Sequence, residues 1–165
     1  NDKFEYCYFA DAVESEHNLK IVEVLERQVN QNPNFSYCIK LHPRDSGSWI
    51  NRKLLQNGVV YTHSQISNDD LFEQFKIGIS NPSGVVMDLL CRLKPFIFID
   101  VLPSYKNLEF VYCDIQYKGY INDLDSLNKL IKDKSVSNEE VFQLYTRVFG
   151  ESDISPSIEI LKQSV

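Results

Sequence analysis

Lys76-Ile77-Gly78-Ile79, then Ser80-Asn81-Pro82-Ser83-Gly84, then the nearly all-apolar run 85–93, then Pro95-Phe96-Ile97-Phe98-Ile99 read as strand, turn, helix and strand. A helix with almost no polar face is a buried helix. A strand with an unbroken apolar run is expected in the middle of a parallel sheet, where both faces are covered. The turn between them is short and carries proline and glycine, the strongest local punctuation.

The same alternation extends to both sides. Residues 4–9 (Phe-Glu-Tyr-Cys-Tyr-Phe) read as a first strand, followed by a polar loop over 11–15. Over 16–30, Ile21, Val22, Leu25 and Val29 share one stripe at helical spacing. Asn32-Pro33-Asn34 breaks that helix. A second strand over 36–41 stops at His42-Pro43-Arg44-Asp45, because proline removes a ladder donor. A short helix is expected over 49–56, a third strand over 59–61, and a short helix over 67–75 opened by Ser67. Beyond the fifth strand, 110–112 and 119–121 are weaker strand candidates, and 124–132, 138–149 and 157–163 look helical. Strands alternating with helices predict an α/β fold: a Rossmann-like three-layer α/β/α domain with a mostly parallel sheet. No internal repeat or low-complexity tract interrupts it.

The chain has 165 residues, about one domain, enough to bury a core without disulfides or metal. Lys and Arg number 17 against 23 Asp and Glu, a formal net charge of −6. That balance argues against a general nucleic-acid partner, which would want a basic face, but leaves room for one local basic pocket. Hydrophobic residues at 43% and charged residues at 24% exclude a disordered chain. No apolar run approaches the roughly 20 residues of a membrane span, and no signal peptide opens the chain. The first residue is Asn1, with strand-like sequence almost at once, so residues 1–165 read as a single domain excised from a longer two-domain protein. The four cysteines, at 7, 38, 91 and 113, form no CxxC pair, and buried free thiols in a reducing compartment are expected rather than zinc.

In open parallel sheets, ligands bind outside the carboxyl ends of the strands. The residues to weigh are therefore His42-Pro43-Arg44, Thr62-His63-Ser64, Ser80 to Gly84 and Asp100. In the turn, Pro82 suits the first helical position with Asn81 as cap. The amides of Ser83 and Gly84 would then face outward as an anion site, with the Ser83 hydroxyl as a further donor. The plainer reading is a capped helix behind a tight turn. It is neither a Walker loop nor GxGxxG. His42, locked by the following proline, could donate to a phosphate, and Arg44 could add a fork of donors. The plainer reading makes them a structural histidine and a solvated arginine. His17, beside Glu14 and Glu16, is conceivable as a general base but reads first as part of a solvated helix start, and His63 reads as a surface loop residue that could face a ligand. Asp69 and Asp70 are first-turn acids without a third metal ligand. Asp88, one turn into the buried helix, could reach the pocket or satisfy a neighbouring loop, and the loop is the favoured reading. Tyr105, Tyr117 and Tyr120 are candidates to line a cleft.

Lys40-Leu41-His42-Pro43-Arg44, then Ile79 to Asp88, then Lys94-Pro95-Phe96-Ile97-Phe98 together resemble the donor-binding, C-terminal half of GT-B glycosyltransferases. The likeness is nearest to bacterial surface-polysaccharide enzymes: sialyltransferases, Kdo transferases and CDP-glycerol glycerophosphotransferases. It covers roughly residues 4–132. The resemblance implies that His42 is the catalytic residue, contacting the donor phosphate and helping the nucleotide leave. It implies that Arg44, Asn81, Ser83 and Gly84 hold the donor phosphate and that Thr62 and His63 lie on the nucleobase side. It also implies transfer without a bound metal or other cofactor, from a nucleotide-activated sugar or glycerol donor. The paired serine of such enzymes is Pro82-Ser83 here, and an acid often found before it is Asn81. A missing N-terminal acceptor domain or partner subunit would complete the site, so the isolated domain is expected to bind donor with little turnover. A cytoplasmic location is expected, with attachment to the inner face of the membrane through the rest of the protein left open. Half of a sugar-nucleotide epimerase and a non-catalytic flavodoxin-like module are the alternatives. A receiver domain, the best-known such module, would need a phosphorylatable aspartate after the third strand, which Thr62-His63-Ser64 does not supply. The donor, the acceptor and the stereochemical outcome are not legible in these residues.

Overall fold

Strand β1 (Phe4–Phe9) buries Phe4, Tyr6, Cys7, Tyr8 and Phe9, so it presents apolar side chains to both faces. Only an interior strand with cover on both sides accommodates that pattern. The structure, a computed structural model, describes residues 2–102 and 116–150. After β1 come α1 (Ser15–Gln31), β2 (Tyr37–Lys40), β3 (Gly58–Tyr61), α2 (Asn68–Phe72), β4 (Phe75–Ser80) and α3 (Gly84–Cys91). β5 (Phe96–Ile99), β6 (Tyr120–Ile121), α4 (Leu124–Asp133) and α5 (Asn138–Phe149) follow. The strands make one sheet, ordered β3-β2-β1-β4-β5-β6, with every pair parallel. This is the expected Rossmann-like α/β fold. A flavodoxin-like module runs 2-1-3-4-5 instead. The strand order therefore departs from the flavodoxin-like topology of that alternative.

Helices cover both faces. On one, α1 buries Ile21, Val22, Leu25 and Val29, the stripe read from its spacing. Three buried tyrosines point to the same side and spend their hydroxyls there. Tyr8 donates to Asn18 Oδ1 at 2.6 Å, Tyr37 donates to Glu26, and Tyr6 donates to the Ile131 carbonyl of α4 at 3.3 Å. On the other face, Cys7 lies in register between Cys38 and Gly78. A Cβ added at Gly78 would stand 2.8 Å from Leu89 Cδ1, so the bare strand lets α3 close onto β4. α5 packs against α3 from outside. Cys7 and Cys38 are buried free thiols, and burial pushes the Cys7 thiol up, with the Cys38 contact adding to it. Cys91 corrects the expectation of burial: it sits exposed on the outer side of α3.

Two local expectations also change. Over 49–56 only a 3-10 turn forms, Arg52–Leu54, with no buried residue. Asp45 takes the Gly47 amide at 2.8 Å and the Trp49 indole N–H at 2.7 Å, and Asn51 takes the Lys53 amide, so side chains satisfy the backbone where a helix would have. Helix α3 starts at Gly84 with an extended Ser83 at its cap position (φ −163°), not at Pro82 behind an Asn81 cap. The Asn81 carboxamide is engaged elsewhere, as described below. The expected strand 110–112, the helix 157–163, Tyr105 and Cys113 lie outside the described residues.

Leu89 is fully buried where α3 meets β4. Leu89→Ala is expected to lower stability by about 2–5 kcal/mol, read from denaturant midpoints. A loss below ~1 kcal/mol would show that α3 does not seal this face.

Candidate functional site

The strand order reverses direction between β1 and β4. The chain leaving β1 enters α1 on one face, and the chain leaving β4 enters α3 on the other, so a crevice opens between them. A cleft of about 540 Å³ occupies that place. Loop 10–13 after β1 forms one lip, and His42, Pro43 and Arg44 after β2 form another. His63 contributes from the β3 loop, and Ser80 to Gly84, Val85 and Asp88 come from β4 and α3. Thr62 does not line it. Its hydroxyl and amide are both engaged with Gln65 inside the same loop, at 3.1 and 2.8 Å. Tyr117 does not line it either: it is buried, donating to the Phe96 carbonyl at 2.6 Å.

The start of α3 faces this space. The amides of Gly84 and Val85 belong to the first helical turn, which lacks intrahelical acceptors, and the dipole places partial positive charge there. A Cβ added at Gly84 would meet nothing within 4 Å. Glycine here relieves no clash; it leaves open room beside the helix start. Ser83 makes no side-chain cap. Ser80 donates its single proton to the Asn81 carbonyl at 2.8 Å, so the 3.0 Å contact between Ser80 and Ser83 has Ser83 as donor. The Ser83 proton is therefore turned into the loop in this state.

His42 is set by its own turn. Its Nδ1 accepts the Arg44 amide at 3.1 Å, so the neutral ring carries its proton on Nε2. The half-buried ring thus offers the cleft an N–H donor in a fixed orientation. Arg44 stands exposed at the rim with no ion-pair partner among the described residues.

Three contributors were not read from the sequence. Lys40 is 5% exposed at the end of β2 and lines the cleft. Its ammonium donates to the Thr62 carbonyl at 3.3 Å and to the Ile66 carbonyl, tying the β3 loop down. No carboxylate among the described residues pairs with it, and burial lowers its pKa. The one available signal was a lysine closing an otherwise apolar strand. Asn18, fully buried on α1, holds loop 10–13 by taking the Asp11 amide at 2.9 Å and donating to the Asp11 carbonyl at 2.9 Å. His17, expected in solvent, is 6% exposed, and its Nε2 lies 2.8 Å from Asn81 Oδ1. Burial lowers its pKa, against the opposing pull of Asn81, Asp11 and Glu14.

Chemically, the cleft gathers hydrogen-bond donors, the α3 amides, the His42 Nε2–H, Arg44 and Lys40, with Asp11 and Asp88 as the carboxylates of the same lining. That set suits a phosphoryl group or another oxyanion. Among the described residues no three His, Cys, Asp or Glu side chains cluster as metal ligands, and no helix is long and apolar enough to cross a membrane.

No family model matches the chain, and no curated protein matches it at a significant level. Solved structures share its fold. The pneumococcal O-GlcNAc transferase GtfA, solved with UDP and GlcNAc, aligns with a TM-score of 0.63 at 10% identity, over 99% of this chain and 36% of its own. TarM aligns with 0.61 at 13% identity, over 99% and 34%. The spinosyn rhamnosyltransferase SpnG aligns with 0.57 at 12% identity, over 100% and 46%. The chain thus spans a third to just under half the length of these structures. At such identities the likeness shows the fold, a Rossmann-like domain of the kind found in GT-B glycosyltransferases.

Because folded His17 resists protonation while the unfolded chain takes a proton near pH 6.5, stability is expected to fall as pH drops below 6.5. His17→Gln, which does not titrate, should flatten that fall below about pH 6.5, measured by urea midpoints. An unchanged slope would place the proton uptake on another group.

Proposed function

We propose that this chain is the donor-nucleotide-binding domain of a glycosyltransferase, or of a glycerophosphotransferase, acting in bacterial polysaccharide synthesis. The observation that carries this reading is the convergence of His42, Lys40 and the α3 start on one cleft at the switch point of the sheet. The fold likeness to two named glycosyl-transferring proteins supports it. In this reading the diphosphate of a nucleotide-activated donor lies against the Gly84 and Val85 amides. Arg44 closes over it from the rim. Asn81 and Ser83 add contacts at the turn, with Ser83 rotating its proton outward.

The role we give His42 is the one the GT-B resemblance implies, and the fixed ring orientation supports it. As the bond from donor to phosphate breaks, negative charge grows on the leaving oxygen. A preoriented Nε2–H beside that oxygen interacts more strongly with the departing phosphate than with the intact ester, which is the condition for catalysis. The α3 dipole and Lys40 act in the same direction without moving. We assign His63 to the nucleobase side, with Thr62 acting only through the shape of its loop. The reading has transfer proceed without a bound metal, as the resemblance to metal-independent GT-B enzymes implies. It places the acceptor site, and any general base for the acceptor, on a partner domain outside this chain. Half of a sugar-nucleotide epimerase would use the same architecture, and the choice of nucleotide separates the two.

Calorimetry of the chain with CMP, CDP, UDP, GDP and ADP, each with and without magnesium, tests the reading. One nucleotide should bind independently of magnesium. His42→Ala should weaken it roughly 10- to 100-fold, as expected for a hydrogen bond to a charged group, with the melting temperature unchanged. Ser83→Ala should cost of order 1 kcal/mol of binding. Unchanged binding in His42→Ala would remove that residue from the site.

A further inference from the structure

We propose that His17 is a positioning residue, which holds the Asn81 carboxamide so that Nδ2 is kept for an oxygen of the bound phosphoryl group. This deepens the nucleotide-binding reading of the cleft and rests on it. Asn81 is 2% exposed and lines the cleft beside the start of α3. Its Oδ1 takes the hydrogen of His17 Nε2 at 2.8 Å. Its Nδ2 is buried and has no partner among the described residues. A buried amide hydrogen without an acceptor is costly, and folded proteins rarely leave one unmade.

The neighbouring residue on α1 supplies the contrast. Asn18, also fully buried, uses both ends of its carboxamide on the protein itself. Its Oδ1 accepts from the Tyr8 hydroxyl at 2.6 Å and from the Asp11 amide at 2.9 Å, and its Nδ2 donates to the Asp11 carbonyl at 2.9 Å. Asn18 is complete as a loop fastener. Asn81 is half complete, at a place where the next group along is the ligand space. The main chain at Asn81 is also fixed, since its carbonyl accepts from Ser80 at 2.8 Å. With both oxygens held, the amide cannot turn over without breaking the His17 bond. What it lacks is an acceptor, so the ligand atom it takes is an oxygen with lone pairs. The Lys40 ammonium, held by backbone carbonyls, and Arg44 at the rim favour an anionic oxygen there, with Asp11 and Asp88 the opposing charges of the same lining. Two consecutive residues at the start of α1 thus reach opposite lips of the crevice: Asn18 sets the β1 loop and His17 sets the β4 turn.

Nitrogen-15 NMR of the full 165-residue chain tests the orientation without any ligand. The neutral His17 ring should carry its proton on Nε2. A proton on Nδ1, with Nε2 accepting, would mean the amide is reversed and would overturn the proposal. Calorimetry with inorganic pyrophosphate, CDP and UDP tests the ligand side. Asn81→Asp keeps the acceptor for His17 and removes the donor, and should weaken whichever probe binds wild type by about tenfold or more. His17→Ala should weaken it as well, and His17→Gln, whose amide also donates, should restore it to within about threefold. On adding that probe, the Asn81 Nδ2 hydrogens should shift in wild type and not in His17→Ala, a change that mere loss of packing does not produce. Wild-type affinity in both Asn81→Asp and His17→Ala overturns this proposal and leaves the nucleotide reading standing. A wild-type chain that binds none of the three probes overturns both.

Discussion

The cleft exists because β1 is clamped between two parallel neighbours whose outgoing chains part. Cys7 sits in register with Cys38 on β2 and Gly78 on β4, and this triple is the centre of the sheet. From there α1 leaves to the face that holds the tyrosine hydroxyls, and α3 leaves to the face that Gly78 keeps open. Among the described residues, a cleft occupies the gap between the two exits. The backbone donors at the start of α3 are thereby left facing outward, beside the loop after β1.

An acidic chain with a net charge of −6 builds its donor-rich cleft locally. Lys40, His42 and Arg44 arrive within five residues at the end of β2, and the α3 dipole meets them from β4. Lys40 sits among backbone carbonyls rather than carboxylates. Carbonyls orient an ammonium but do not neutralise it, so its charge is still felt in the cleft. Low solvent access strengthens that effect compared with a surface lysine. The net charge of the domain and the donor character of its cleft are separate quantities: Lys40 and Arg44 line the cleft together with Asp11 and Asp88.

Much of the fold was legible where a local pattern was complete. Helix α5 occupies 138–149 as expected, because Ser137 caps it through the Glu140 amide and its apolar positions recur at helical spacing. The strands that flank β1 announced themselves as apolar runs between turn residues. The failures share a cause. The region 49–56 has helix-forming residues, but Asp45 and Asn51 bond the backbone first. Asn81 has a capping side chain in a capping position, yet a partner 64 residues earlier takes it. His17 stands in an acidic, water-friendly stretch, and burial against β4 turns it into an interior group. Of the candidate site, His42, Arg44, His63, Asn81, Ser83 and Gly84 do come together, while Thr62 stays within its own loop.

The amino-acid sequence by itself determined the succession of strands and helices, the parallel character of the sheet and the two turns that face the ligand space. Those features depend on period, proline, glycine and capping residues within a few positions of one another, so neighbours in the chain suffice to specify them. Tertiary structure alone decided the order β3-β2-β1-β4-β5-β6, the burial of Lys40 and the meeting of His17 with Asn81. These depend on which distant surfaces exclude water together. A side chain's polarity states what it needs, and only the packed sheet determines which partner, protein or ligand, is near enough to supply it.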